Sequence, residues 1–529
     1  MVDPAELPTG GYVAEILAVL TADPDRTVLR RHGEPVSAGE FADAVAGAVQ
    51  VLRGLGVGPG TMTGILVAPN SPDMLGARYA AHLLGGAVCY LGTTNPGSAK
   101  RLLPIEGQLE ILRNTGATVL FTDTENASRA QELAESLTGS LVLTGFGVDV
   151  AEAVPVTPVP AAELGDPAEA QVAVDEQDVA VVAFTSGSTG RPKGIRLSNR
   201  AWHSIVAMNR SLMLEADHPR ILVTTPLSHT VAPMADAVLM ARGVVVLHEE
   251  FEPGAVLREI AEQRITRTFM ATEHLYRLLD HPDTRTTDLT TLWLLIYAGS
   301  AAAPARVADA VETFGTRLSQ AYGASEGGPI TRLNPVEHLE PRLHSSVGRP
   351  FAGVEVKVCA PETGAEIKIG DTGEVWFRSP HMMDCYWGEP ELTAKVLRDG
   401  WIRTGDIGRL DEEGYLYLVD RMADVVKTKG VKVHPAVVER EILTLPGVAH
   451  AAVFGIRDAD NIEHLHAAVV LRPGAPTTVE QIRAHVTEAL SAVHAPEQIA
   501  VLDELPLNSA GKPDKPRLRA LRTVTSESE

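Results

Sequence analysis

Thr185-Ser-Gly-Ser-Thr-Gly-Arg-Pro-Lys-Gly194 packs hydroxyls, glycines and a lysine into one short stretch. Bare backbone N–H groups, hydroxyl donors and a cation are what a polyphosphate needs. The preceding run, Val179-Ala-Val-Val-Ala-Phe184, reads as a buried strand. The common phosphate loop has four residues between its glycines and then opens a helix with Gly-Lys-Ser/Thr. Here two residues separate Gly187 from Gly190, and Pro192 precedes Lys193. Proline disfavours helical geometry in the residue before it. The spacing therefore predicts a mobile flap at a strand end rather than the cap of a helix. A flexible surface linker is the blander reading; the upstream strand and the lysine argue against it. The chemistry indicated is binding of a nucleoside triphosphate and enzymatic group transfer.

The elements that must position this loop begin with a chain of 529 residues, too long for one core. The formal charge of −22 opposes a nucleic-acid partner, because a phosphate backbone would be repelled. Arginine greatly outnumbers lysine, so each lysine stands out as a candidate; the Ala-, Gly- and Arg-rich composition fits a high-GC bacterial genome. Cys89, Cys359 and Cys385 show no disulfide or metal spacing, which fits a reducing cytoplasm. No signal peptide and no bilayer-spanning run are read in the chain.

Strand and helix patterns alternate to about residue 300, which predicts parallel α/β sheets covered by helices. Gly33-Glu-Pro35 reads as a turn, Phe41 to Leu55 as an amphipathic helix, and Gly64 to Ala68 as a buried strand. Residues 150–177, rich in Pro, Ala, Asp and Glu, read as a loop. From 345 to 420, short β-rich runs such as Gly373-Glu-Val-Trp-Phe-Arg378 predict a small antiparallel barrel or distorted sheet. After Asp420 the pattern resets to a compact α+β unit.

Four further segments accompany the loop: Tyr322-Gly-Ala-Ser-Glu-Gly327, Trp401-Ile-Arg-Thr-Gly-Asp-Ile407, Asp420-Arg-Met-Ala-Asp-Val-Val-Lys-Thr-Lys-Gly430 and Pro506-Leu-Asn-Ser-Ala-Gly-Lys512. In order and spacing the five resemble the adenylate-forming superfamily, which contains acyl-CoA synthetases, peptide-synthetase adenylation domains and beetle luciferases. The resemblance covers essentially the whole chain. It implies a large N-terminal domain, residues 1–420, of two α/β subdomains and a small β-barrel. A small mobile α+β C-terminal domain, 421–529, would hinge near 420–424. It also implies two half-reactions using ATP, Mg²⁺ and coenzyme A: a carboxylate attacks the α-phosphorus of ATP to give acyl-AMP, and a thiol then displaces AMP.

The same resemblance gives each motif residue an expected role. Thr185, Ser186, Gly187, Ser188, Thr189 and Lys193 would hold the phosphates, and Gly299, Ser300 and Ala301 would line the nucleotide site. Tyr322 and Gly323 would lie beside the adenine, and Ser325 would contact the α-phosphate. Glu326, with Thr185, would hold Mg²⁺, a hard cation suited to oxygen ligands. On its own, Glu326 reads rather as a carboxylate at a helix N-terminus; the surrounding Tyr-Gly-x-Ser-Glu motif turns the reading to Mg²⁺. Asp406 would accept hydrogen bonds from the ribose hydroxyls with Arg421 as partner, although Gly-Asp is also ordinary turn chemistry. Lys512, in what reads as an exposed Pro-rich tail, would reach the carboxylate and the α-phosphate, where a point charge stabilises the forming bond.

For the second step, Lys427, Lys429 and Gly430 would meet coenzyme A; with Lys432 these lysines could equally solvate a strand edge. Ala423 stands where the family usually has a hinge Asp or Lys, which would shift the balance between the two steps. The acyl pocket would be lined by His229, Val231, Ala232 and Ala321, and His229 reads equally as a loop histidine bonded to backbone. Asp236 is out of register for anchoring an α-amino group. Small residues through Gly299-Ser-Ala-Ala-Ala303 and at Ala321 predict room for a bulky or extended apolar acid. Alternatives stay open: a half-enzyme taking an acyl-adenylate made elsewhere, transfer to a carrier-protein phosphopantetheine, a luciferase-like oxygenase, and a homodimeric assembly. A regulatory protein with a dead site is opposed by the intact Lys193, Glu326, Asp406 and Lys512.

Overall fold

The computed structural model describes residues 11–92, 103–137, 140–186, 192–213, 218–228, 230–458, 462–508 and 511–526. Two large sheets form the N-terminal part. The first has nine strands; its parallel centre runs through Leu318–Ala324, Leu294–Ala298, Arg267–Ala271, Arg220–Val223, Val244–Leu247 and Thr27–Arg31. The second has eight, with Val179–Ser186, Ala87–Tyr90, Met62–Leu66 and Val119–Thr122 as parallel neighbours. Every residue of Met62–Leu66 is buried, as a strand covered on both faces requires. The helices Ala38–Gly54, Pro72–Leu83 and Ala232–Met240 share one core with strands of both sheets. Ser37 and Glu40 close a capping box at the start of the first of these, and Ser71 caps the second ahead of Pro72.

Residues 355–421 form the expected antiparallel unit, a five-stranded sheet with Glu355–Cys359, Gly373–Arg378, Trp401–Leu410 and Leu416–Arg421 among its strands. After a 3₁₀ turn at Met422–Asp424 comes the hairpin Val426–Thr428 with Val431–Val433. A three-stranded sheet of Val448–Arg457, Glu463–Leu471 and Gln498–Val501 follows, packed by Pro435–Ile442, Val479–Ala489 and Lys515–Ser526. The architecture is mixed α/β, with a large N-terminal domain and a small C-terminal one.

Three details depart from the sequence reading. Residues 150–177 are not all loop: Val154–Val156 adds an edge strand parallel to Val142–Phe146, helped by the Thr144 hydroxyl donating to the Val154 carbonyl at 2.7 Å. An edge tolerates Pro155, which lacks an N–H. Asp406 does not stand in a turn but inside a strand, Trp401–Leu410. Gly405 takes φ +71° there, so the backbone irregularity that reads locally as a turn is absorbed within a continuous strand paired on both sides. The tail is not simply exposed: Lys515–Ser526 is a helix whose Leu518 is buried.

Candidate active site

The glycine-rich segment joins two antiparallel strands, Val179–Ser186 and Pro192–Ser198, with Thr185 opposite Lys193 in register. A strand, not a helix, follows Pro192, as its position predicts. Gly187, Ser188 and Thr189 lie outside the described residues, and so does His229. The far side of Pro192–Ser198 pairs with Cys385–Tyr386: Ile195 faces Tyr386, and the Trp387 N–H donates to the Gly194 carbonyl at 2.7 Å.

That pairing brings in Glu326. The Tyr386 hydroxyl donates to Glu326 Oε1 at 2.7 Å, and the Met383 N–H donates to the Glu326 carbonyl at 2.7 Å. Burial and the neighbouring Glu326 charge push the Tyr386 phenol well up, so it stays a donor. Glu326 occupies the turn between Leu318–Ala324 and Gly328–Leu333, so the helix-dipole alternative falls away. Two sheets thus converge with the glycine-rich hairpin on one side and the half-buried Glu326 carboxylate on the other. Mg²⁺ is bound through one or two carboxylates plus substrate phosphates rather than by an all-protein cage. The single Glu326 carboxylate and the Thr185 hydroxyl fit that chemistry, and no cluster of three or more His, Cys, Asp or Glu ligands occurs among the described residues.

The third sheet contributes Asp406, only 7% exposed. It pairs directly across strands with Arg421, whose Nε donates to Oδ1 at 3.1 Å, and Oδ2 accepts the Tyr322 hydroxyl at 2.6 Å. The Thr404 hydroxyl oxygen holds the Asp406 N–H at 2.9 Å. Asp406 raises the affinity of Arg421 for its proton, and burial together with Asp406 keeps the Tyr322 phenol protonated. Ser325 and Gly323 are exposed beside this cluster in sequence, and Ala321 is half-buried.

Lys512 arrives from the C-terminal domain. Asn508 and Lys512 are joined by two bonds: the Asn508 N–H donates to the Lys512 carbonyl at 2.8 Å and Asn508 Oδ1 accepts the Lys512 N–H at 3.1 Å. Lys512 Cε comes within 3.5 Å of where a Cβ on Gly299 would stand. Its ammonium is pushed down to about 8, first by burial and then by Arg421, while Asp406, Glu326 and Asp424 pull it back up. The solvated-tail reading of Lys512 is therefore corrected. Gly299, with φ +104°, and Ser300 and Ala301 form the loop it meets.

Elsewhere the expected residues separate. Ala423 is exposed in the 3₁₀ turn after Arg421. Lys429 and Gly430, with φ +50° and +77°, make the two-residue turn of the hairpin, where a positive φ at both positions explains the glycine. In this orientation a Cβ on Gly430 would meet nothing within 4 Å. Lys429 Nζ is 3.1 Å from Glu497, whereas Lys427 and Lys432 are exposed cross-strand neighbours. Val231 and Ala232 are buried in the main core. Asp236 is engaged by Arg78 and Tyr79 and so cannot anchor a substrate amine.

Residues 18–387 match the AMP-binding enzyme family, and residues 437–512 match the AMP-binding enzyme C-terminal domain. The chain belongs to the AMP-binding enzyme family. It is an adenylate-forming enzyme of the acyl-CoA synthetase kind, an AMP-forming acid–thiol ligase. It is 32% identical to a medium/long-chain-fatty-acid–CoA ligase, FadD8, of Mycobacterium tuberculosis, over 96% of this chain and 89% of that one. It is 31% identical to a feruloyl-CoA synthase of an Amycolatopsis species, over 92% and 94%. Among solved structures, the amide bond synthetase McbA of Marinactinospora thermotolerans superposes with a TM-score of 0.81 at 32% identity, covering 97% of this chain and 100% of that one. No helix among the described residues is long and apolar enough to cross a membrane.

Sequence reasoning missed three parts of this AMP-binding enzyme's candidate site: Tyr386, the bonds from Asn508 to Lys512, and the helix Thr272–Asp280 behind the 299–303 loop. Asn508 had a local signal, since an Asn just before Ser-Ala-Gly is ordinary turn chemistry. Tyr386 had none.

Proposed function

We propose that the enzyme activates a bulky or extended apolar carboxylic acid as its acyl-adenylate and passes the acyl group to coenzyme A. The observation that carries this reading is the placement of Lys512 against the Gly299 loop, in the field of Asp406, Arg421 and Glu326. An acid oxygen attacks the α-phosphorus of ATP and pyrophosphate leaves. The Lys512 cation offsets the negative charge that builds on the oxygens as that bond forms. Lys193 and the hydroxyls of 185–189 take the β- and γ-phosphates, and Ser325 the α-phosphate. Asp406 and Arg421 take the ribose hydroxyls, and Tyr322 borders the adenine. Glu326 and Thr185 would hold Mg²⁺, which supplies charge neutralisation on the phosphates.

In the second step the thiol attacks the acyl carbon and AMP departs. The domain boundary at 420–424, with Ala423 as pivot, would let the C-terminal domain turn and present the Lys427–Lys432 hairpin. Gly430 would then border the pantetheine. The acid would lie against His229 and Ala321, beside the small residues of 299–303.

One observation favours a second acceptor. Lys429 is already paired with Glu497, which leaves Lys427 and Lys432 as the hairpin's exposed cations for a polyanion such as coenzyme A. A carrier-protein phosphopantetheine in trans, or an amine like that implied by the name of McbA, would not need them. The test is a panel of carboxylic acids scored separately for AMP release and for product with coenzyme A, holo-carrier protein or amine. Synthetic acyl-adenylates added directly cover an enzyme that performs only the second step. Turnover of long-chain or aromatic acids with coenzyme A is the expected outcome; activity confined to acetate or to amino acids would overturn the reading.

A further inference from the structure

The helix Thr272–Asp280 touches both the nucleotide loop and the C-terminal domain. On one side the Thr272 hydroxyl donates to the Ser300 carbonyl at 2.9 Å, and the Tyr276 hydroxyl accepts the Ala303 N–H at 2.7 Å. On the other, Glu273 Oε2 lies 2.6 Å from Nδ1 of His450, on the strand Val448–Arg457 of the C-terminal domain. Glu273 and His450 are 7% and 9% exposed. Tyr276 packs against the His450 ring, and with Ala303 it joins the hydrophobic core of the C-terminal domain.

The far end of the helix makes a different kind of contact. Asp280 is bound by Arg472 of the C-terminal domain and also, at 2.8 Å, by Arg306 of its own domain. If the C-terminal domain turned away, Asp280 would keep Arg306. Among the described residues Glu273 has no hydrogen-bonded side-chain partner but His450. Turning the domain away would therefore break its one side-chain hydrogen bond and leave the carboxylate to water. The two contacts therefore differ in how much they depend on orientation.

We propose that Glu273 and His450 are a positioning pair for the first half-reaction. They close only when the C-terminal domain stands where Lys512 meets the Gly299 loop, and through Thr272 and Tyr276 they tie that stance to the backbone of residues 300–303. The pair sets how the enzyme divides its time between adenylate formation and acyl transfer; this rests on the two-step reading above.

Glu273→Gln keeps the size of the side chain and removes its charge. Pyrophosphate exchange should fall about 10-fold, within the usual range for coupling between sites. Acyl transfer from a preformed acyl-adenylate should be unchanged or faster. Glu273→Asp should recover part of the exchange rate. Trypsin cleavage at Arg421, in the exposed segment between the domains, should quicken in the Gln variant with saturating ATP and Mg²⁺, independently of which acid the enzyme uses. Equal losses in both half-reactions, or no change in either together with unchanged cleavage, would overturn the proposal. A wild-type enzyme inactive on every acid would instead sink the ligase reading, while the cleavage comparison would still decide the pair.

Discussion

Asp236 and Asp406 each accept a tyrosine hydroxyl and an arginine N–H, yet the two clusters are built for different ends. Around Asp236, Arg78 makes two parallel bonds at 2.7 and 2.8 Å, Tyr79 donates at 2.5 Å, and both charged side chains are at most 1% exposed. Tyr79 and Trp202 rings face the guanidinium, each 5.1 Å from it. Burial pushes the Asp236 carboxyl above its ordinary range even against the pull of Arg78. Around Asp406, Arg421 makes one bond at 3.1 Å and its side chain is 59% exposed. The first cluster joins the helices Pro72–Leu83 and Ala232–Met240 and is closed on itself. The second lies at the mouth of the site, with a guanidinium still open to a ligand. The same three residue types give a core fastener when every polar group is enclosed, and a cluster with a cation free to take a ligand when one side is left open.

That contrast can be broken first at Arg78. Arg78→Met leaves the Asp236 carboxylate buried without a counter-charge, which should cost about 3–5 kcal/mol of stability in urea unfolding. A loss below about 1 kcal/mol would mean that the pair is incidental. Lys512→Ala should lower pyrophosphate exchange by about 10²–10³-fold, the usual effect of removing one preorganised stabilising group. Its unfolding midpoint should stay put. Undiminished exchange would remove Lys512 from the site.

The sign of the pH effect follows from the same lysine. Its ammonium is pushed down to about 8 in the nucleotide-free enzyme, so it is charged below that pH and neutral above it. First-step kcat/KM should therefore fall as pH rises through about 8, and Lys512→Arg should flatten that limb, since a guanidinium stays protonated. A rate that climbs past pH 9 in the wild type would contradict the assignment. The smallest effect is expected at Tyr386. Tyr386→Phe removes the donor that orients Glu326 and should raise the Mg²⁺ requirement of exchange about 10-fold, with little change in stability. An unchanged Mg²⁺ requirement would mean that Glu326 needs no such support.

Much of the architecture is written in local pattern. The Phe41–Leu55 periodicity corresponds to the helix Ala38–Gly54, and Gly373–Arg378 is a strand with those bounds. The motif loops were legible because each concentrates glycine, hydroxyl or charge in a few residues. Asp406 was misplaced because Thr-Gly-Asp has the composition of a turn, while the flanking strands that keep it extended come from residues 373–378 and 416–421. Tyr386 meets Glu326 across 60 residues and His450 meets Glu273 across 177, distances at which no periodicity or spacing carries a signal.

The two aspartates offer the most direct test. Asp236→Asn and Asp406→Asn are made in parallel, and each is measured for ATP affinity by calorimetry and for its urea midpoint. The closed and open clusters predict a crossed result: Asp406→Asn weakens ATP about 10-fold or more with stability nearly unchanged, and Asp236→Asn loses stability while its folded fraction binds ATP normally. If Asp406→Asn bound ATP like the wild type, or if both variants lost stability alike, the nucleotide site would not be where these residues place it.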